Sequence, residues 1–103
     1  MSFVKVCPLS DLADESAIHV DVDGVPVCLA RSRGEVFAIF DECSHAEVPL
    51  SEGEVEDGTV ECWLHGSRFD LRSGKPTGLP ATEAVPIYPV KVVGDDVFVA
   101  VKE

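Results

Sequence analysis

The sequence predicts an all-β fold of small antiparallel sheets, and three observations carry that expectation. Short runs rich in Val, Ile and Phe recur along the chain. Turn dipeptides fall between them: Asp23-Gly24, Arg33-Gly34, Asp57-Gly58, Ser73-Gly74 and Gly94-Asp95. No segment sustains a 3.6-residue apolar period, so helix is expected only as a turn near Leu9–Asp14.

The elements follow in order. Asp23-Gly24 joins Ala17–Val22 to Val25–Arg31 and is the strongest hairpin signal, because both residues tolerate the positive φ of a type I′ turn. Arg33-Gly34 leads into Glu35–Phe40, and Asp57-Gly58 into Thr59–Trp63. Ser73-Gly74 follows Phe69–Arg72, and Gly94-Asp95 separates Ile87–Val93 from Val97–Lys102. Strand alternation puts Ile18, Val20 and Val22 on one face and His19 and Asp21 on the other, so His19 is expected toward solvent or a second layer and not as a ligand. Val97, Val99 and Val101 likewise share a face. Val25–Ala30 and Val36–Phe40 are apolar on both faces and should lie centrally in a small sandwich or barrel. Pro26 and Pro89 each lack a ladder donor and are expected at an edge or a bulge.

The chain has 103 residues, which suits one domain over 1–103. Hydrophobic residues make up 46% and charged residues 26%, an ordinary globular balance and not a disordered one. No uninterrupted apolar run, Val25–Ala30 included, is long enough for a membrane span. The opening residues Met1–Lys5 carry no apolar signal core, so a cytoplasmic location is expected. With 8 basic and 19 acidic side chains the formal charge is −11, which disfavours nucleic acid and anionic membranes. Eight acids and no Lys or Arg lie between Asp41 and Glu61. That run reads as a solvated loop or as a docking field for a basic partner.

The chemistry concentrates in two segments. Cys43-Ser44-His45 follows the strand Glu35–Phe40, and Cys62-Trp63-Leu64-His65-Gly66 ends the strand after Asp57-Gly58. Sixteen residues separate His45 from Cys62. Each segment offers one thiolate and one imidazole from a strand-supported loop. Zinc is one metal for such a set, although zinc fingers usually group Cys with Cys and His with His. Alternatively, each loop could give one ligand to each of two irons, both thiolates on one and both imidazoles on its neighbour, which is a Rieske [2Fe–2S] ligand set. Cys7 and Cys28 have no histidine beside them and read as plain apolar thiols. Arg68, Arg72 and Lys75 read as local charge balance against the acidic run.

C-x-H, sixteen residues, then C-x-x-H resembles the Rieske signature. The run Cys62-Trp63-Leu64-His65-Gly66-Ser67-Arg68-Phe69-Asp70, with Gly74-Lys75 and Leu79-Pro80-Ala81, resembles the small Rieske-type ferredoxins of bacterial ring-hydroxylating oxygenase systems. The resemblance covers essentially the whole chain. It implies a Rieske-type iron–sulfur fold in which a cluster-binding part of two hairpin loops, about 41–81, is inserted in a β base. It implies one [2Fe–2S] cluster, with Cys43 and Cys62 on the inner iron and His45 and His65 on the outer, surface-facing iron. Gly78-Leu79-Pro80 resembles the family's proline loop over the cluster, and Trp63 and Leu64 would shield it. The low part of the Rieske potential range is implied, since neither loop has a further cysteine for a disulfide and Phe69 stands where high-potential relatives have a tyrosine. Ser67 pulls the other way, resembling a serine that donates to a cluster sulfur.

The implied function is one-electron carriage from a flavin-dependent or ferredoxin reductase to a terminal non-heme iron oxygenase, by a monomer that is not itself an enzyme. The alternatives are a housekeeping Rieske-type protein of iron–sulfur assembly or redox balance, and a structural zinc protein.

Overall fold

The structure is a computed structural model that describes residues 3–43, 48–64, 66–78 and 81–101. His45, His65, Leu79 and Pro80 lie outside the described residues. Among the described residues ten strands run in chain order: β1 (Val4–Pro8), β2 (Ser16–Val22), β3 (Val25–Ser32), β4 (Glu35–Phe40), β5 (Val55–Glu56), β6 (Thr59–Glu61), β7 (Arg68–Asp70), β8 (Ile87–Tyr88), β9 (Val90–Val93) and β10 (Asp96–Val99). Helix among the described residues is confined to two 3₁₀ turns, Leu9–Asp11 and Leu50–Glu52. The all-β expectation holds.

The strands make three antiparallel sheets, ordered β1-β10-β9, β2-β3-β4-β8 and β5-β6-β7. The four-stranded sheet is the middle layer, and the apolar character of β3 and β4 on both faces explains why. Val27 and Leu29 of β3 and Ala38 of β4 join a cluster with Leu12, Val97 and Val99 beneath the β1-β10-β9 sheet. The intervening residues Cys28, Ala30 and Ile39 join a second cluster with Leu50, Val55, Val60, Phe69 and Leu71 on the β5-β6-β7 side. Each such Val, Leu or Ile contributes about 1.5–3 kcal/mol by leaving water. Alternation with period two thus assigns one strand's side chains to two cores.

Three hairpin turns have both central residues at positive φ: Asp23 and Gly24, Arg33 and Gly34, and Asp57 and Gly58. That is the type I′ geometry read from Asp23-Gly24, and the structure shows it at the other two turn dipeptides as well. Two expectations need correction. Pro26 lies on β3, a central strand. It is tolerated because the ladder is already ending there: Val27 pairs with Phe40, the last residue of β4, and Pro26 O then accepts from Asp41 N–H at 3.1 Å. The run Ile87–Val93 is not one strand, since Pro89 breaks it where the chain passes from β8 in the middle sheet to β9 in the outer one.

Glu15 ties two of the turns together. Its carboxylate accepts from Arg33 N–H at 2.8 Å, Asp57 N–H at 3.0 Å and the Ser32 hydroxyl at 2.8 Å. The Ser32 hydroxyl in turn accepts from Gly58 N–H at 2.9 Å. The β3–β4 and β5–β6 hairpins are therefore pinned by one side chain. These donors, the Arg33 amide foremost, hold the Glu15 carboxyl below its ordinary value of 4.5. As pH falls below that value the unfolded chain takes up the proton before the native one, so Glu15's stabilisation is present above pH 4.5 and lost through its lower native value. Glu15→Gln should lower the melting temperature at pH 7 and flatten its decline in acid; a melting curve measured from pH 7 to pH 3 checks both.

Candidate metal centre

The two thiol-bearing loops are built alike. The second is the hairpin loop between β6 and β7, whose ends pair as Glu61 with Arg68. Within it Cys62 N–H donates to Ser67 O at 2.6 Å, and Gly66 N–H donates to Cys62 O at 2.9 Å. Gly66 has φ 76°, a left-handed value that closes the turn and suits glycine. The first loop leaves β4 at Phe40, and Cys43 N–H donates to Val48 O at 3.0 Å. In both loops the cysteine's own amide thus reaches the carbonyl five residues on. Each thiol sits at the root of its loop, held by backbone bonds that do not depend on its side chain.

Packing brings the two roots together. Cys43 is 3% exposed and Cys62 0%, and both belong to the core cluster of Val60, Phe69 and Leu71. The chain after the first loop also packs tightly on the end of β6: a Cβ at Gly53 would stand 1.6 Å from Glu61 O, the carbonyl just before Cys62. Glu61 N–H also donates to Glu54 O at 2.8 Å. A third segment closes in behind the second loop. Thr77 N–H donates to Arg68 O at 2.7 Å, and Ala81 N–H donates to the buried Ser67 Oγ at 3.1 Å. Ser67 therefore anchors Ala81, while its own hydroxyl proton is not used in that bond.

The neighbouring charges are organised. Of the acidic run, Glu42, Glu52, Glu54, Glu56 and Asp57 are exposed and Glu61 partly so, while Glu47 lies outside the described residues. Arg68 lies 3.6 Å from Glu61 and 4.0 Å from Glu56, the balance expected against the acidic run, while Arg72 instead donates to Glu35 at 2.7 Å, outside that run. Asp41 departs from the solvated-loop expectation: it is buried, two residues before Cys43, and accepts from both the amide and the hydroxyl of Ser51. Its partner on β2 is His19, half-exposed but not idle. Neither role was legible in the sequence. The available signal was the position of Asp41, directly after a fully apolar strand and directly before a cysteine segment.

Trp63 and Leu64 are 50% and 42% exposed, so the second loop presents an apolar surface outward. Cys7 and Cys28 are buried thiols whose ionisation is pushed up by burial first and by a nearby Asp second, as inert apolar residues should be.

Two buried cysteines at the roots of like-built loops, inside an all-β chain, make a candidate metal-binding pair on a strand scaffold. Comparison with known proteins gives the family: residues 2–89 match the Rieske [2Fe–2S] domain, and the chain belongs to that family. It is 41% identical to the 3-phenylpropionate/cinnamic acid dioxygenase ferredoxin subunit of Shigella boydii serotype 4 (strain Sb227), over 100% of this chain and 97% of that one. Among solved structures it is similar to the ferredoxin of carbazole 1,9a-dioxygenase from Nocardioides aromaticivorans IC177, at 39% identity and TM-score 0.93, covering 99% and 100% of the two chains. It is also similar to a chain in the complex of reduced oxygenase and oxidized ferredoxin in carbazole 1,9a-dioxygenase, at 31% identity and TM-score 0.89, covering 95% and 92%. The family's cofactor is one [2Fe–2S] cluster, and the buried thiols fit it. The structural-zinc alternative falls with that assignment. No described helix is long and apolar enough to cross a membrane.

Proposed function

We propose that this chain is the ferredoxin of an aromatic-ring dioxygenase system, a one-electron carrier between a reductase and a terminal non-heme iron oxygenase. The observation that carries this reading is the similarity to dioxygenase ferredoxin subunits over essentially the whole length of both chains. The solved complex of oxygenase and ferredoxin supports the oxygenase as partner. The chain is one domain in this reading, with 41–81 as its cluster-binding part. The ligands are Cys43 and Cys62 on the inner iron and His45 and His65 on the outer, a set of two thiolates and two imidazoles that matches a Rieske centre. Bound there, the cluster supplies a one-electron couple.

The residues of the chain do the rest. The backbone bonds at Cys43 and Cys62 hold both sulfur donors in place, so that little protein has to move when the charge changes. Trp63 and Leu64 offer an apolar contact beside the ligands, and the exposed acids around them oppose wrong partners while steering basic ones. Such contacts are small and transient. A cytoplasmic location accompanies this function, since the buried Cys7 and Cys28 suit a reducing compartment.

Reconstitution tests the proposal. Oxygenase turnover driven by NADH through a flavin reductase should depend on added protein; turnover that is the same without it contradicts the carrier role. In the same assay Trp63→Ala should raise the ferredoxin concentration needed for half-maximal rate by about tenfold, the loss of a modest aromatic hot spot. The variant's midpoint potential should stay at the wild-type value.

A further inference from the structure

Asp23-Gly24 and Asp57-Gly58 are the only Asp-Gly dipeptides in the sequence. They fold alike: φ is 50° and 83° at the first, 51° and 77° at the second. Their surroundings differ. Gly58 N–H donates to the Ser32 hydroxyl at 2.9 Å, and Asp57 N–H donates to Glu15 at 3.0 Å. Arg33 holds the Asp57 carboxylate at 3.4 Å. The third turn of this shape is secured in the same way, since Gly34 N–H donates to Asp14 at 3.0 Å. At the β2–β3 turn the ladder closes on the Val22–Val25 pair, and Gly24 N–H has no hydrogen-bond partner among the described residues. Asp23 and Gly24 are both exposed, and a Cβ on Gly24 would meet nothing within 4 Å.

An aspartyl side chain before glycine lies within reach of the next main-chain nitrogen, and no side chain on glycine bars the approach. Attack needs that nitrogen without its proton. A hydrogen bond that occupies the N–H must first be broken, which slows the step by about three- to tenfold for a bond of ordinary net strength.

We propose that Asp23 is a spontaneous modification site, converting to an isoaspartyl residue through a succinimide, while the bonds around Asp57-Gly58 protect the second dipeptide. Gly24 N bonds to Asp23 Cγ, the C–OH bond of the protonated carboxyl breaks, and water leaves with the amide proton. Solvent water then opens the ring. Opening at the side-chain carbonyl restores aspartate; opening at the main-chain carbonyl leaves the chain running through Cγ. Composition and oxidation state are unchanged overall. The product adds one backbone carbon to a two-residue turn whose flanking Val22 is buried, and it is a substrate for isoaspartyl-repair methyltransferases.

The test is to hold the intact holoprotein at 37 °C and pH 7 for several weeks. Isoaspartate is then located by methyltransferase labelling and by electron-transfer fragmentation of its peptides. The chain contains no Asn, so deamidation adds nothing to the signal. Isoaspartate should build up at Asp23 about three to ten times faster than at Asp57. Ser32→Ala should raise the rate at Asp57 toward that at Asp23 and leave Asp23 unchanged. In the urea-unfolded chain the two rates should be equal, and this comparison decides if Ser32→Ala does not fold. Equal rates in the native protein, or no isoaspartate at Asp23, overturn the proposal. So does a native ratio that persists in urea, because the difference would then belong to the neighbouring residues and not to the fold.

Discussion

Cys62→Ser is expected to yield a colourless protein, with iron falling from about two per chain to near zero. In the proposed ligand set the Cys62 thiolate binds iron, and a serine hydroxyl is both harder and far less acidic. Cys62 is fully buried, so water has no ready access to take its place. The loop's own bonds, Cys62 N–H to Ser67 O and Gly66 N–H to Cys62 O, are main-chain and survive the change. Far-ultraviolet circular dichroism should therefore still show β structure, at a lower melting temperature because metal binding and folding are linked. Cys28→Ser is the matched control. Cys28 is equally buried and in the same core cluster, but it sits mid-strand on β3. Its replacement should cost about 1–3 kcal/mol for the buried hydroxyl while the iron stays. Iron and sulfide analysis of the two variants side by side checks the pair.

Gly53→Ala should be strongly damaging to the segment beside Cys62. The added carbon would stand 1.6 Å from Glu61 O, a main-chain atom that no rotamer change can move. Overpacking against backbone of this kind costs about 3 kcal/mol or more. Relief requires the end of β6 to shift, and Cys62 is the next residue. Loss of stability should therefore come with loss of cluster occupancy. Gly24→Ala separates sterics from dihedral strain: Gly24 has φ 83° and nothing within 4 Å of an added Cβ. It should cost about 1–2 kcal/mol, the left-handed penalty, with the iron content unchanged. Chemical denaturation and iron content of the two alanine variants test this contrast.

Much of the architecture was legible because it depends on local rules. Asp23-Gly24 announces a type I′ turn, and Arg33-Gly34 and Asp57-Gly58 announce turns, through residues that accept positive φ. The two-sided apolar runs of β3 and β4 announce a middle layer. What stayed hidden depends on contacts distant in sequence. β1 pairs with β10, a partner near the other end of the chain, and its short run carries no adjacent turn signal. The proline rule for Pro26 failed because it concerns hydrogen bonds, and β4 had already stopped offering them. Asp41 looked like one more solvated acid until the fold brought His19 and Ser51 to it from 22 and 10 residues away. At the metal centre the cysteine and histidine types and their spacing were legible, as was the family they resemble. The like closure of the two loops by their cysteine amides was not, since main-chain bonds leave no residue signature.

The ligand set is tested most directly by pulsed electron paramagnetic resonance on anaerobically purified, dithionite-reduced protein. The expected result is a half-spin signal coupled to two imidazole nitrogens, lost on one side when His45 or His65 is replaced. A signal with no nitrogen coupling, or a preparation that is silent despite iron-replete expression, would contradict the assignment of Cys43, His45, Cys62 and His65.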